Sequence, residues 1–432
     1  MRIKCIEVEN FKCFDHLNME LNDFNVLIGK NASGKSNVIN ILKFVKDILS
    51  EDLEDAIDLQ GGISYLYNSK NKSSKNIKIN ISFDFSKEMI INRFPFLAHG
   101  EYDSRISVYE LNYMLDIKPY SNGNYSINKE SIKIYYIKST IKDNDRYLNE
   151  INEKENGIKL CQIITRNSQN KVDIKFQGDW NKELKNDFKN FSKYYEAKIK
   201  LDDDSKKIIL KDVVFINFGR SNLEDFIKIY DFNPKTLKNV SIINRKNNLE
   251  EDGSNIANVL HRILSNRDSK KELLCMLNRL MPFIKDISTE KTINKSMYFK
   301  VKENNENDLP SILLSDGTVN LIAIIIALYF DKNGEVIVIE EPEKNIHPRL
   351  ANDLIFLMKE ICNKKQIIVT THNTYIMDNV DIDDIFYVYR NKNNTYSEIQ
   401  MPKNNPNIKE YIKNDLGIGD IYYNSLFVDE EE

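Results

Sequence analysis

Polar and apolar residues alternate along Met1-Arg2-Ile3-Lys4-Cys5-Ile6-Glu7, the period of a strand with one buried face, and predict a strand over Ile3 to Glu9. A turn at Asn10-Phe11-Lys12 and a second strand near Leu17 to Leu21 follow. Phe24-Asn25-Val26-Leu27-Ile28 reads as a fully buried strand. The period then changes. Val38, Ile41, Leu42, Val45, Ile48 and Leu49 fall on one face of a helix, with Lys43, Lys46 and Asp47 elsewhere.

From about Ile77 to Phe176 the alternation returns in Ile77 to Phe83, Ser131 to Ile137 and Val172 to Phe176, separated by turns rich in Asn, Asp and Gly. That pattern predicts an antiparallel sheet. A polar helical stretch is expected around Asn181 to Lys200, a strand over Val213 to Ile216, helix from Gly253 to Lys285 and a strand over Met297 to Val301. An apolar helix is expected from Val319 to Phe330. Val336 to Ile339 and Gln366 to Val369 read as buried parallel strands. No heptad of apolar positions is sustained, so a long coiled coil is not expected.

At 432 residues the chain exceeds the roughly 250–300 that one core serves, which implies a large α/β domain with an insertion or two lobes. No run approaches the ~18 apolar residues of a membrane span. The first residues lack the apolar core of a signal peptide, so the expected compartment is the cytoplasm. Five scattered cysteines without a CxxC pair argue against a zinc site or a disulfide framework. A net charge of −4 leaves DNA contact to local basic surfaces. Lysines 70, 72, 75 and 78, and 206, 207 and 211, are candidates, although such runs are usually a solvated face.

Gly29-Lys30-Asn31-Ala32-Ser33-Gly34-Lys35-Ser36 fits GxxxxGK[ST] and lies directly after a buried strand and at the start of a helix. Glycine permits a tight turn and close backbone approach, the amides and the helix N-terminus face phosphates, Lys35 reaches the β/γ oxygens and Ser36 can ligate magnesium. Gly29, Asn31, Ser33, Gly34, Lys35, Ser36 and Asn37 are the nucleotide-binding candidates.

The apolar run ending in Glu340-Glu341 delivers two carboxylates to the carboxyl edge of a sheet, the Walker B position. Glu340 would hold magnesium and Glu341 would polarise the attacking water. A second apolar strand ends in Thr370-Thr371-His372, whose imidazole can bond a phosphate oxygen while backbone holds its other nitrogen. Alone, His372 reads as a structural histidine; one strand beyond Glu341 it reads as catalytic. Ser315-Asp316-Gly317 opens a helix, either as a plain cap or as an anion site. Since the chain already has one phosphate loop, that second site would serve the nucleotide of another subunit.

Taken in order, Phe11-Lys12-Cys13-Phe14, the phosphate loop, LSDGT, VIVIEEPEKNIHP and TTHNTYIMD resemble the ABC ATPase superfamily in its SMC/RecF/OLD-like branch. The resemblance extends to Asp252 to Ala257 and to Leu416-Gly417-Ile418-Gly419-Asp420, and leaves about residues 90–210 poorly covered. It implies an α/β ABC ATPase head with a mixed, largely parallel core sheet, an antiparallel β subdomain and a helical lobe. The implied divisions are an N-terminal lobe with the phosphate loop (1–90), a β-rich insertion (91–212), a helical lobe (213–310), a lobe with signature, Walker B and switch histidine (311–402), and a tail (403–432).

By resemblance, Ser315 and Gly317 touch the partner's nucleotide, Lys344, Asn345 and His347 form the D-loop at the dimer interface, Lys12 contacts nucleotide and Gln60 is the glutamine-loop residue near the metal. The sequence departs from the commoner pattern with Glu340 in place of aspartate and Asp-Gly-Thr in place of Gly-Gly-Gln. Asp381-Ile382-Asp383-Asp384 reads as a turn rather than a nuclease cluster, with too little chain after it for a separate nuclease domain. The expected function is ATP and Mg2+ dependent closure of a two-headed homodimer, with higher oligomers open. Its purpose would be DNA-linked sensing in phage defence or genome maintenance with a separately encoded nuclease or toxin, or, alternatively, ATP-gated holding of such an effector without DNA contact. No membrane association is expected.

Overall fold

A computed structural model describes residues 1–71, 75–85, 90–91, 104–140, 158–178, 180, 208–210, 226–244, 246, 248–304, 308–331, 334–391 and 396–427. The helical stretch expected over 181–200, the strand expected over 213–216, and Lys72, Lys206, Lys207 and Lys211 lie outside them. The chain divides into two compact units: 1–21, 36–224 and 390–399 in the first, 22–35, 225–389 and 400–432 in the second.

The first unit is built on an antiparallel sheet in the order Phe14–Glu20, Arg2–Phe11, Ile77–Asp84, Ser104–Pro119, Tyr125–Thr140, Ile158–Asn167, Val172–Gly178, with Ile90–Ile91 pairing Ser104–Pro119. The alternation of Ile77–Asp84 is obeyed strictly, its isoleucines and Phe83 inward and its polar residues half exposed. The helix Lys35–Ser50 buries all six expected apolar residues, and Ile39 and Phe44 besides. At roughly 1.5–3 kcal/mol per buried aliphatic side chain, that face rather than intrinsic propensity holds the helix. Phe44 packs on Phe11 with ring centroids 5.9 Å apart.

Five strands of the second unit run parallel in the order Ile227–Tyr230, Val336–Glu340, Gln366–Thr371, Phe24–Ile28, Ile385–Arg390. Phe24–Ile28 and the apolar part of Val336–Glu340 are wholly buried, as two-sided burial of a parallel sheet requires. The helix Asp316–Ile325 is buried from Thr318 onward and ends in a π-turn, Ile326–Phe330, so the apolar run expected as one helix changes its hydrogen-bonding period near its end. The stretch expected as helix to Lys285 divides into Ile256–Ser265 and Arg267–Leu280, with Asn266 capping the second, and Ile284 already begins a strand. That strand, Ile284–Lys291, pairs Ser296–Glu303, whose other edge carries Ser241–Ile242 and Asp308–Pro310.

Candidate functional site

The strands Phe24–Ile28, Val336–Glu340 and Gln366–Thr371 end at the same edge of the parallel sheet, with Ile28 in register with Thr371 and Thr370 with Glu340. The loop that begins at Gly29, the carboxylate of Glu341 and the imidazole of His372 therefore leave the sheet side by side, where α/β folds bind ligands.

Gly29 is required sterically: a Cβ there would run into the Val388 carbonyl oxygen and lie 2.7 Å from Ser33 Oγ. The loop turns through left-handed backbone at Ala32 (φ 60°) and Gly34 (φ 120°). Lys35 is half-buried and folds back on its own loop, its Nζ donating to the carbonyls of Gly29 (2.5 Å) and Lys30 (3.0 Å). Burial lowers its pKa, and the charge of Glu341 draws it back up. Ser33 donates its N–H to Lys30 O at 3.2 Å, and its buried Oγ has no partner among the described residues. A loop with a desolvated ammonium and an unpartnered hydroxyl is a site made for an oxyanion, so these residues fit a nucleotide phosphate. Asn31 and Ser36 are exposed, and Asn37 accepts a bond from Asn40 Nδ2 at 3.3 Å.

Glu341 holds left-handed backbone (φ 44°), uncommon for a residue with a Cβ and a form of strain that concentrates at functional sites. Its N–H donates to Thr370 O (3.1 Å) and Thr370 Oγ1 (3.2 Å), which fixes the turn. Its Oε1 lies 3.0 Å from His372 Nδ1. The second nitrogen of His372 was expected to rest on backbone; Nδ1 rests on the Glu341 carboxylate instead. With Nδ1 carrying the proton toward Glu341, Nε2 is the acceptor nitrogen of the ring. Glu340 closes the strand half-buried.

Ser315 is exposed and caps the helix Asp316–Ile325, its Oγ accepting from Thr318 N at 3.1 Å and lying 2.7 Å from Thr318 Oγ1. Gly317 is demanded by packing, since a Cβ there would lie 2.6 Å from Asn345 O. Lys344 and Asn345 are exposed, and His347 caps the helix Pro348–Ile361 by accepting from Arg349 N at 3.3 Å. In the first unit Lys12 adopts φ 47°, donates its N–H to Leu66 O at 2.8 Å, and has its pKa lowered by burial. Gln60 ends the helix Leu53–Leu59 and precedes Gly61 and Gly62, both at φ 94°. Residues 382–384 form a single 3-10 turn before the strand Ile385–Arg390. Of the lysines considered as a basic surface, Lys75 pairs with Asp15 (2.9 Å) and Lys78 with Glu9 (2.7 Å), so neither stands as an unopposed charge.

Three residues escaped sequence reasoning. Asn320, buried within an apolar helix, donates from Nδ2 to the carbonyls of Pro342 (3.3 Å) and Lys344 (3.0 Å). Glu343 is buried and accepts from Thr371 Oγ1 at 2.5 Å. Asp378 accepts from Gly419 N at 2.7 Å, and a Cβ on Gly417 or Gly419 would press on its carboxylate oxygens at 2.8 and 2.9 Å. A polar residue in an apolar helix, a third carboxylate after Glu340-Glu341 and a paired-glycine tail were the available signals.

Residues 24–378 match the family described as "AAA domain, putative AbiEii toxin, Type IV TA system". "Retron Ec83 probable ATPase" of Escherichia coli is 24% identical over 416 residues, covering 89% of this chain and 71% of that protein. "Uncharacterized protein MJ1542" of Methanocaldococcus jannaschii is 33% identical over 96 residues, which is 22% of this chain and only 11% of that protein. Among solved structures, an SMC head bound to the C-winged helix domain of ScpA superposes with a TM-score of 0.51 at 15% identity, covering 93% of this chain and 97% of that one. The phosphate loop, the acidic strand and the histidine strand all fall within the matched residues, and the chain belongs to this AAA-domain family, an ATPase with the fold of an SMC head.

Proposed function

We propose that the chain closes as a two-fold pair of heads around two ATP molecules and reopens on hydrolysis. The observation that carries the reading is the Glu341 and His372 pair, 3.0 Å apart at the sheet edge that also presents the phosphate loop. The loop from Gly29 to Ser36 with Asn37 cradles the phosphates, and Lys35 exchanges its carbonyl partners for phosphate oxygens. Ser36 and Glu340 would hold magnesium, which would supply positive charge to offset that of the nucleotide phosphates. Glu341 takes a proton from water as the water oxygen bonds to the γ-phosphorus and the bond to the bridging oxygen breaks, releasing ADP and phosphate. His372 Nε2 faces the γ-phosphate. Ser315, exposed at a helix N-terminus, reaches the partner's nucleotide. Lys12 and Gln60 are assigned to the nucleotide and the metal on resemblance alone.

The pair of heads gates a separately encoded protein effector, a nuclease or toxin, in a cytoplasmic defence system. The family description names a toxin system and the relative matched over most of this chain names a retron. Two observations favour protein over DNA as the direct partner: the ion-paired lysines of the first unit, and exposed Ile242, Ile312 and Leu313 in the second. Among the described residues no helix is long and apolar enough to cross a membrane.

Light scattering of the Glu341→Gln protein, with and without Mg-ATP and then with duplex DNA, tests both parts. A nucleotide-dependent doubling of mass is expected, with no further shift on adding DNA. Unchanged mass with ATP overturns the sandwich, and a DNA-dependent shift restores the DNA-linked motor in place of the effector-only reading.

A further inference from the structure

The loop after the acidic strand contains a buried acid with no part in the hydrolytic scheme. Glu343 is 6% exposed. Its Oε1 accepts from Thr371 Oγ1 at 2.5 Å, and its Oε2 is buried without a partner among the described residues. Burying a carboxyl group so incompletely satisfied is costly, and surface glutamates two residues from a catalytic one would avoid that cost.

The contacts around it form two brackets. Thr371 Oγ1, while donating to Glu343, accepts from Asn373 N at 2.9 Å, so one hydroxyl ties together the residues on either side of His372. Asn320 Nδ2 donates to Pro342 O and Lys344 O, so one amide ties together the residues on either side of Glu343. Asn320 belongs to the helix that Ser315 caps, and the start of that helix packs against the same loop at Gly317 and Asn345.

We propose that Glu343 is a positioning residue for hydrolysis: through Thr371 it fixes the backbone that aims His372 at Glu341, and through the Asn320 bracket it makes that aim depend on the Ser315 helix. A shift of that helix on meeting a partner's nucleotide is passed to Pro342 and Lys344, then to Glu343, Thr371 and the imidazole. Burial raises the pKa of the Glu343 carboxyl, with the Thr371 bond opposing, which agrees with a group used for its hydrogen bonds rather than its charge. The proposal rests on the assignment of Glu341 and His372 as the hydrolytic pair.

ATP turnover by the full chain distinguishes the two. Thr371→Val removes the hydroxyl with little change of volume, and Glu343→Gln keeps an acceptor without the acid. Because misaiming a catalytic group costs up to ~10²-fold, Thr371→Val should lower kcat by roughly 10-fold or more, with KM for Mg-ATP changed less than about 2-fold. Glu343→Gln should stay within about 3-fold of the parent, and Glu343→Ala should behave like Thr371→Val. In a His372→Ala background, Thr371→Val should cost less than about 2-fold, since the group it aims is gone. If His372→Ala alone leaves kcat unchanged, the hydrolytic pair is wrongly assigned. If His372→Ala slows turnover and Thr371→Val slows it further by its full factor, the pair stands and the positioning role of Glu343 is overturned.

Discussion

At the scale of single residues, the site rests on a strained glutamate paired with a histidine. Glu341 sits at φ 44° with its N–H held by Thr370 and its carboxylate 3.0 Å from His372 Nδ1. An ionised carboxylate has two oxygens, so one bond to His372 leaves an acceptor for a water proton. Glu341→Gln keeps the size and removes the carboxylate proposed as the base. Turnover should fall by roughly 10²–10⁴-fold while ATP binding persists, readable as retained nucleotide in equilibrium dialysis beside lost phosphate release. Lys35→Ala should fail in the opposite order. Its ammonium is the loop's desolvated cation, so nucleotide retention should drop along with turnover. Turnover retained in both variants would remove the site from this edge of the sheet. That Lys35, Glu341 and His372 each follow an apolar strand is legible in the sequence. That His372 binds a carboxylate instead of backbone is not, because it depends on where two loops from different strands meet.

At the scale of elements, two features carry consequences for stability. The helix Asp316–Ile325 lies so close to the Asn345 backbone that a Cβ on Gly317 would come within 2.6 Å of a carbonyl oxygen. Neither side is a flexible chain end, so Gly317→Ala should destabilise the chain by about 1–3 kcal/mol, measurable as a lower denaturation midpoint without added nucleotide. An unchanged midpoint would show the helix free to back away and Gly317 needed only for a ligand.

In the first unit, Glu130 lies buried in the antiparallel sheet. Its Oε1 accepts from Tyr113 Oη (3.1 Å) and Ile209 N (2.9 Å), and Arg166 stands 3.8 Å from its other oxygen. Burial, only partly offset by Arg166, raises its pKa from the usual 4.5 to about 7. Between those values the folded chain binds more protons than the unfolded one, so this group's contribution to stability falls as pH rises from 4.5 to about 7 and is level above. Urea midpoints compared at about pH 5 and about pH 8 should show this fall in the parent and a smaller one in Glu130→Gln. Equal pH slopes would mean that the acid is ionised throughout. The sheet itself is legible as alternation, but a glutamate in an alternating strand gives no sign of facing inward.

For the whole molecule, the chain enters and leaves each unit more than once. Residues 22–35 contribute an interior strand and most of the phosphate loop to the second unit, flanked on both sides along the sequence by chain of the first. This threading follows from pairing Phe24–Ile28 in parallel with Gln366–Thr371, a partner more than three hundred residues away. No local pattern reports it, and the sequence offers instead contiguous divisions near 90 and 213. The same long-range assembly brings the tail back to the site: the Gly417 and Gly419 turn closes on Asp378, and Lys30 Nζ of the phosphate loop bonds Ser425 Oγ at 3.0 Å. Removing residues 417–427 should therefore slow turnover as well as lower the denaturation midpoint, although the tail carries none of the assigned catalytic groups. Parent-like turnover and midpoint in the truncated chain would show the contact to be incidental.

What the sequence determined by itself is the local chemistry. A glycine loop after an apolar strand, paired carboxylates after another and a histidine after a third are each written within about ten residues, because strand burial and turn stereochemistry are short-range constraints. Tertiary structure alone decided which loops share an edge, that Thr371 and Asn320 bracket His372 and Glu343, that Lys75 and Lys78 are neutralised by Asp15 and Glu9, and that Gly317 answers to packing. These depend on distances between residues remote along the chain, set by strand order and register.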